Sequence, residues 1–405
     1  MDARPPRQSD AVARSARPVA RALYLSMIAV FATTLFMRAV DPVVPQIAEH
    51  FAIDPRTVAL LATAFSLPYA ITQPALGGLA DAFGKARLMT WSLVALVIAA
   101  AVGAAAPNIA TLFASRVIAG VMAGGVFPIA MAIVADLVSV EQRQVAVSRM
   151  LGAAMTGNVL GSPLAGAAAD LIGWRGVFVG MGVLAALAAV AAAVGFRGIA
   201  SAASARVDIA SLPATYRTIF RNPLAKICFG AVMIEAICLY GLFPYIAGLL
   251  AAGGEPRAAI AGLVIAGFGA GGIIYAASVV LLLGRLGERG LMMTGGTLMG
   301  LALALVALHL AWPLWIVDFV ALGLGFYMLH GVIQIYASEL APAARGSAMA
   351  LHSTFFFFGN AVGPVIYGVA LPSVGLAGTV VPAGAILIGV GLICARRLRR
   401  DRPAV

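Results

Sequence analysis

Polar positions in this 405-residue chain come in short clusters, and long apolar stretches run between them. Many of these stretches reach the roughly 18 to 25 residues that suffice to cross a bilayer. Sustained apolar length between charged or Gly/Pro breaks, not a helical period, marks out twelve spans. The first half gives 22–46, 57–79, 87–106, 109–134, 145–169 and 175–195. The second half gives 223–250, 257–283, 290–309, 313–336, 346–370 and 374–395. Each is read as one helix.

Composition agrees with this pattern. The chain is 62% hydrophobic and 11% charged, where soluble domains carry about 25% charged residues. The first 21 residues are polar and Arg-rich, and the apolar run behind them is too long for a signal-peptide core. The first helix is therefore expected to stay as an anchor. Three cysteines, Cys228, Cys238 and Cys394, show no metal-ligand spacing and read as small apolar core residues. Cys228 and Cys238 would lie roughly 15 Å apart along one helix, too far to bridge.

A net charge of +11 might suggest a nucleic-acid partner, but the positions of the charges argue against one. Arg4, Arg7, Arg14, Arg17 and Arg21 sit in one tail; Arg396, Arg397, Arg399, Arg400 and Arg402 sit in the other. Such flanks suit anionic lipid headgroups on a cytoplasmic face. With both termini cytoplasmic, nearly all 27 Lys and Arg residues fall inside. Only Arg56, Arg175 and Arg257 fall in external loops, and Arg38 and Arg116 fall within spans. An odd number of spans would scramble this positive-inside asymmetry. The partition that follows is a tail at 1–21, a bundle at 22–195, a linker at 196–222, a second bundle at 223–395 and a tail at 396–405. The linker ends in TYRTIFRNP, which reads as an amphipathic segment on the inner leaflet.

Two phrases tie the halves together. GNVLGSPLAG begins at Gly157 and GNAVGPVIYG begins at Gly359, 202 residues later. Gly157, Asn158, Gly161 and Gly166 recur as Gly359, Asn360, Gly363 and Gly368; Pro163 recurs as Pro364, shifted by one. Each phrase falls in the fifth span of its half. The simplest account is duplication of a six-helix unit, the plan of two halves about an axis normal to the membrane.

At this point the chain resembles the major facilitator superfamily over nearly its whole length outside the tails. Within it, the sequence is similar to the twelve-helix drug–proton antiporters and the related sugar-efflux permeases. The loop between spans two and three reads GGLADAFGKAR, in which Gly77, Leu79, Asp81, Gly84 and Lys85 match the family signature. Ala82 and Ala86 stand where basic residues are usual, and Arg87 takes the place of the second. The resemblance implies that Asp81 meets a helix N-terminus of the other half and holds the cytoplasmic side closed. Gly157, Gly161, Pro163 and Gly166 resemble the antiporter signature of the fifth span, with Ser162 inserted. That resemblance implies export, with a bent, glycine-faced helix as a rocking surface between halves; the alternative is ordinary close packing. The fold it implies is all-α: twelve transmembrane helices in two pseudo-symmetric six-helix bundles.

Charges inside spans are costly and point to mechanism. Asp41 in span one and Arg116 in span four lie at similar depth in the outer half and are candidates to pair. The pair serves either proton transfer or static orientation of two helices. Arg116, with Gly120 after it, matches the fourth-span arginine that the family links to proton transfer. Arg38, three residues before Asp41, is a competitor for it. Glu235 in span seven is a second proton carrier, a group for a cationic cargo, or a neutral hydrogen-bonded carboxyl. Asp318 lies at Arg116 plus 202 and either opposes it or sits at a rim. His330 and His352 read more readily as packing residues than as relays. Phe355 to Phe358 are split between lipid and cavity. Tyr240, Tyr245 and Tyr327 are candidates for an adaptable pocket. Two arginines against three carboxylates lean towards a cationic or neutral cargo.

No G-x-x-x-x-G-K-[ST], HExxH or G-x-S-x-G motif occurs, so no cofactor and no enzymatic activity are expected. The expected function is proton-coupled export of a lipophilic drug-like compound or a sugar-like metabolite across the inner membrane, by a monomer. The alternatives are proton-coupled uptake and a non-transporting sensor or assembly factor.

Overall fold

The computed structural model of the chain describes residues 8–138, 140–197 and 212–398. Side chains of 8–18 and 75–82 lie outside the described residues. All regular structure among the described residues is helical. Eight helical stretches there are long and apolar enough to cross a membrane. The helices are α1 (Gln8–Arg38), α2 (Val44–Phe51), α3 (Pro55–Phe83), α4 (Lys85–Ala104), α5 (Ile109–Leu137) and α6 (Val140–Gly195). They continue as α7 (Leu212–Arg221), α8 (Pro223–Tyr240), α9 (Ile246–Ala252), α10 (Ala258–Leu305), α11 (Trp312–Glu339) and α12 (Arg345–Arg397). The amphipathic segment expected at the end of the linker is α7, whose Phe220 packs on Phe229 and Phe355.

Three long helices fold back at a glycine that leaves helical geometry: Gly173 in α6, Gly287 in α10 and Gly375 in α12. The contacts of α6 show the reversal. Its first limb runs parallel to α1, with Gly157 facing Phe31 and Gly161 facing Leu35. Its second limb runs the other way, with Trp174 beside His50 and Gly195 beside Leu25. Gly173 (φ 75°, ψ 171°) and Gly375 (φ 73°, ψ 178°) are 202 residues apart. Only glycine occupies that backbone region without strain of about 1–3 kcal/mol. Gly173→Ala and Gly375→Ala are each expected to lower unfolding stability in detergent by about that amount. A melting temperature equal to wild type for both would contradict the turn geometry.

Two of the expected spans are not continuous helices. α1 ends at Arg38, a 3-10 turn follows at Asp41–Val43, and α2 begins at Val44. Likewise α8 ends at Tyr240 and a 3-10 turn at Phe243–Tyr245 leads into α9. Pro42 and Pro244 sit in these turns, 202 residues apart. Proline lacks an N–H and disfavours helix in the residue before it, so each breaks its span at the same point.

The duplication extends to tertiary contacts. A Cβ on Gly157 would lie 2.6 Å from the Phe31 carbonyl oxygen, and one on Gly161 would lie 3.0 Å from that of Leu35. The counterparts Gly359 and Gly363 press on Met233 and Ile237, each 202 residues beyond Phe31 and Leu35. Small residues let the backbones approach where lipid supplies no hydrophobic drive. A further repeat lies in the turns before α3 and α10. Asp54 accepts from the Arg56 N–H at 2.8 Å, and Glu255 accepts from the Arg257 N–H at 3.3 Å. The side-chain hydrogen bonds of Arg56 and Arg257 hold both carboxyls below their ordinary ranges.

One apolar core draws on residues from Ala22 to Phe196 with Ala258 and Phe357, and a second on residues from Ile219 to Leu398 with Ala59. They meet along two seams. In the first, α6 faces α10: a Cβ on Gly262 would lie 2.7 Å from Pro163 Cα, and one on Gly166 would lie 2.6 Å from the Ala258 carbonyl carbon. In the second, α3 faces α12: Thr63 Oγ1 donates to the Ala361 carbonyl at 2.6 Å, and the Tyr69 and Phe357 rings lie 3.9 Å apart.

Candidate functional site

The two helix breaks face each other where the cores meet. Arg38 ends α1, and its guanidinium stacks on Tyr240 at 4.2 Å and Phe243 at 5.0 Å. Tyr240 is the residue 202 beyond Arg38, and Phe243 the residue 202 beyond Asp41. Equivalent positions of the two halves therefore meet near the pseudo-twofold axis, but with different chemistry. One half supplies a cation and a carboxylate; the other supplies two aromatic rings.

Sequence depth suggests that Asp41 pairs with Arg116. The structure gives Asp41 to Arg38 instead, with Nη1 to Oδ2 at 3.5 Å and both side chains buried. Three residues of helix-like spacing bring the two together. Arg116 is 1% exposed and lies over the Phe65 ring at 4.4 Å. Its Nη1 donates to the Phe36 carbonyl at 3.3 Å, and its Nε has no partner. Arg116 therefore acts on Asp41 through space and not by contact.

Between these groups lies a small cavity of about 20 Å³. Arg38 and Asn158 line it from one half; Tyr240, Phe243, Ile265, Phe268, Gly269 and Tyr327 line it from the other. Asn158 belongs to the repeated phrase. Its place in a wall is not readable from glycine spacing. Tyr240 and Tyr327 take the pocket positions expected of them. Tyr245 does not: its hydroxyl donates to the Pro364 carbonyl at 2.7 Å, beside Gly368.

The second half carries its own buried polar group. Glu235 is 0% exposed, its Oε2 lies 2.8 Å from His330 Nδ1, and its Oε1 has no partner. His330 stacks on Phe326 at 4.7 Å and meets the His352 ring at 5.1 Å. His352 is buried with Nε2 unpartnered. The sequence treats these histidines as packing residues, yet one bonds the carboxylate and the second abuts the first. Their separation along the chain hid the cluster; the only available signal was that both lie in the inner halves of their spans. Asn360 is buried with Nδ2 unpartnered. Asp318 is 8% exposed, near the start of α11, and joins neither cluster. Of the aromatic run, Phe355 stacks on Phe229, Phe356 packs on Tyr240 and His330, Phe357 meets Tyr69, and Phe358 is exposed.

In the loop between α3 and α4, Gly84 has φ 86° and Lys85 Nζ lies 2.6 Å from Asp136 at the end of α5. The sequence did not single out Asp136. Arg87 is exposed. Gly77 and Asp81 lie on the helical backbone of α3, but their surroundings fall outside the described residues. At the other end of the first seam, Asp170 accepts from the Ala258 and Ala259 N–H groups at 3.0 and 2.9 Å. This caps the open N-terminus of α10 from across the junction. The repeated phrase thus divides its labour. Gly157 and Gly161 pack on α1 within one half, while Pro163 and Gly166 face α10 in the other. Gly359 and Gly363 likewise pack on α8.

Comparison with known proteins agrees with this architecture. The family model for the Major Facilitator Superfamily matches residues 26–364 and 256–405. The quinolone resistance protein NorA of Staphylococcus aureus is 26% identical over 94% of this chain and 97% of its own length. The uncharacterised MFS-type transporter YfhI of Bacillus subtilis is 23% identical over 92% of each chain. Multidrug resistance protein 2 of the same organism is 24% identical over 84% of this chain and 86% of its own. Among solved structures, a D-xylose–proton symporter superposes with TM-score 0.73 at 15% identity, covering 95% of this chain and 98% of the symporter.

Proposed function

The chain belongs to the Major Facilitator Superfamily, and from that premise we propose that it is a proton-coupled secondary transporter that exports a small molecule by alternating access. It is a membrane transporter and not an enzyme. In the full reading it crosses the inner membrane twelve times, with both termini cytoplasmic, and works as a monomer. The hairpin glycines Gly173, Gly287 and Gly375 each separate two of the expected spans, and the basic loops support this orientation.

The observation that carries the coupling is the contact between the fully buried Glu235 carboxylate and the partly buried His330. A carboxylate without water is expensive, and a hydrogen-bonded neighbour able to share its proton lowers that cost. Movement of one charge through ~100 mV yields about 2.3 kcal/mol, and each pH unit adds about 1.36 kcal/mol. The names of NorA and multidrug resistance protein 2 favour outward transport. The symporter shares the fold at a level of identity that says nothing about direction.

Alternating access needs two halves able to rock. Among the described residues, polar contacts across the junction are found towards the end that carries the Asp54 and Glu255 turns. They include the Asp170 cap of α10 and the Thr63–Ala361 bond. In the proposed topology this is the state closed to the outside.

The test uses liposomes holding a pH-sensitive dye and a panel of lipophilic cations, aromatic acids and sugars. Substrate addition should drive counter-movement of protons in wild type. Glu235→Gln should lower that movement at least tenfold. Co-movement would replace export by symport. Full coupling in both Glu235→Gln and Asp41→Asn would remove the assignment of the carrier.

A further inference from the structure

The charge count within the spans leans towards a cationic cargo; the placement of those charges reverses it. Neither Glu235 nor Asp318 lines the cavity between the halves, and Glu235 is already bonded to His330. Asp41 is not among the lining residues either, and its partner is Arg38. Among the described residues, the only charged one in the wall is Arg38. Around it stand the Asn158 amide and the Tyr240 and Tyr327 hydroxyls, each able to donate a hydrogen bond. The surrounding charge is also weighted to the positive side. Arg38 and Arg116 share one carboxylate, the Arg38–Asp41 contact is long at 3.5 Å, and the Arg116 Nε has no partner while fully buried.

Apart from Ile265 and Gly269, the rest of the wall is aromatic. Phe268 meets Phe243 edge-on at 5.5 Å and Tyr327 in a tilted arrangement at 5.9 Å. Tyr240 and Phe243 pack on the Arg38 guanidinium, and its Nη1 makes only the long 3.5 Å contact with Asp41, so a ligand carboxylate would compete with Asp41 for the N–H edge. A planar fork of N–H donors matches a carboxylate in two-point geometry.

We propose that this cavity binds a flat aromatic acid, with Arg38 as counter-ion to its carboxylate and the surrounding rings holding its frame. The proposal rests on the reading of the cavity as the cargo site. At about 20 Å³ the cavity holds one or two waters and no aromatic ring. Its walls come from both halves, so rocking them apart widens it, and the acid enters that wider form. Closing the halves around a bound acid brings Tyr240 and Phe243 onto the guanidinium that holds the carboxylate.

The test is equilibrium binding to the purified full-length protein in detergent, with three probes of one shape: 2-naphthoate, 2-naphthamide and 2-naphthylmethylammonium. Naphthoate should bind at least tenfold tighter than the amide, with the ammonium weaker than both. Arg38→Gln should weaken naphthoate at least tenfold and leave the amide within twofold. Arg38→Lys, which keeps the charge and loses the fork, should fall between. If Arg38→Gln does not fold, Asn158→Ala should still weaken naphthoate severalfold, and the probe ranking in wild type stands as its own test. Tighter binding of the ammonium, equal binding of all three, no naphthoate binding at millimolar concentration, or indifference of naphthoate to every variant overturns the proposal. Binding needs no gradient, so the outcomes separate. Arg38-dependent naphthoate binding without proton movement in liposomes refutes the transport coupling and leaves the anion site standing. Proton movement driven by a cation, with no naphthoate binding, does the reverse.

Discussion

Gly262→Val is expected to hold the two halves apart along the α6–α10 seam and to shift the protein towards the state open at the end bearing the Asp54 and Glu255 turns. A Cβ at this position would lie 2.7 Å from Pro163 Cα, and the contact is with backbone that cannot rotate away. Overpacking of a tight contact costs about 1–3 kcal/mol, and each 1.4 kcal/mol is roughly tenfold in population. The expected shift is therefore about fivefold to a hundred-and-fortyfold, with transport falling in proportion once one state dominates. A cysteine at Ile265 in the cavity wall reports it, because the native Cys228, Cys238 and Cys394 are buried. A membrane-impermeant thiol reagent added outside should label Ile265→Cys faster in the Gly262→Val background. Gly389→Val, where a side chain meets nothing within 4 Å, is the control. Equal labelling in both backgrounds would mean that this seam does not govern access. Gly166→Val should act in the same direction, since it meets Ala258 backbone across the same seam.

Asp41→Asn should be the most damaging polar substitution in the first half. It removes the one carboxylate that serves two buried guanidiniums, Arg38 by contact and Arg116 through space. Breaking a buried pair by removing one member typically costs about 3–5 kcal/mol, because the remaining charge stays uncompensated. Arg38→Gln should cost less, since Asp41 then keeps the field of Arg116. The double variant Asp41→Asn, Arg38→Gln should recover part of the loss of Asp41→Asn. Thermal unfolding of the three proteins in detergent measures this as a double-mutant cycle. Simple additivity would show that the 3.5 Å contact carries no coupling. A larger loss in Arg38→Gln than in Asp41→Asn would show that Arg116 does not reach Asp41.

Much of the membrane architecture was legible in the chain itself. Hydropathy is a sum along the sequence, so the apolar stretches and their polar breaks appear without knowledge of any fold. The duplication was legible for a related reason. Glycine at 157, 161, 359 and 363 is demanded by backbone approach, and no larger residue substitutes there. The repeat therefore survives in the letters and reappears in the Phe31–Gly157 and Met233–Gly359 contacts. Pro42 and Pro244 were equally visible, but apolar length passed over them, and the breaks they make were missed.

Only the tertiary structure decided which buried groups meet. Depth along a span allowed Asp41 to reach either Arg38 or Arg116, and hydropathy does not say which way a side chain faces. The three-residue spacing at the end of α1 brings Asp41 to its neighbour Arg38. Arg38 meeting Tyr240, and Glu235 meeting His330, join residues far apart in sequence whose helices happen to pack with those faces inward. A sequence records that a charge lies in the membrane; the packing of helices, which fixes the direction and distance of each side chain, determines its partner.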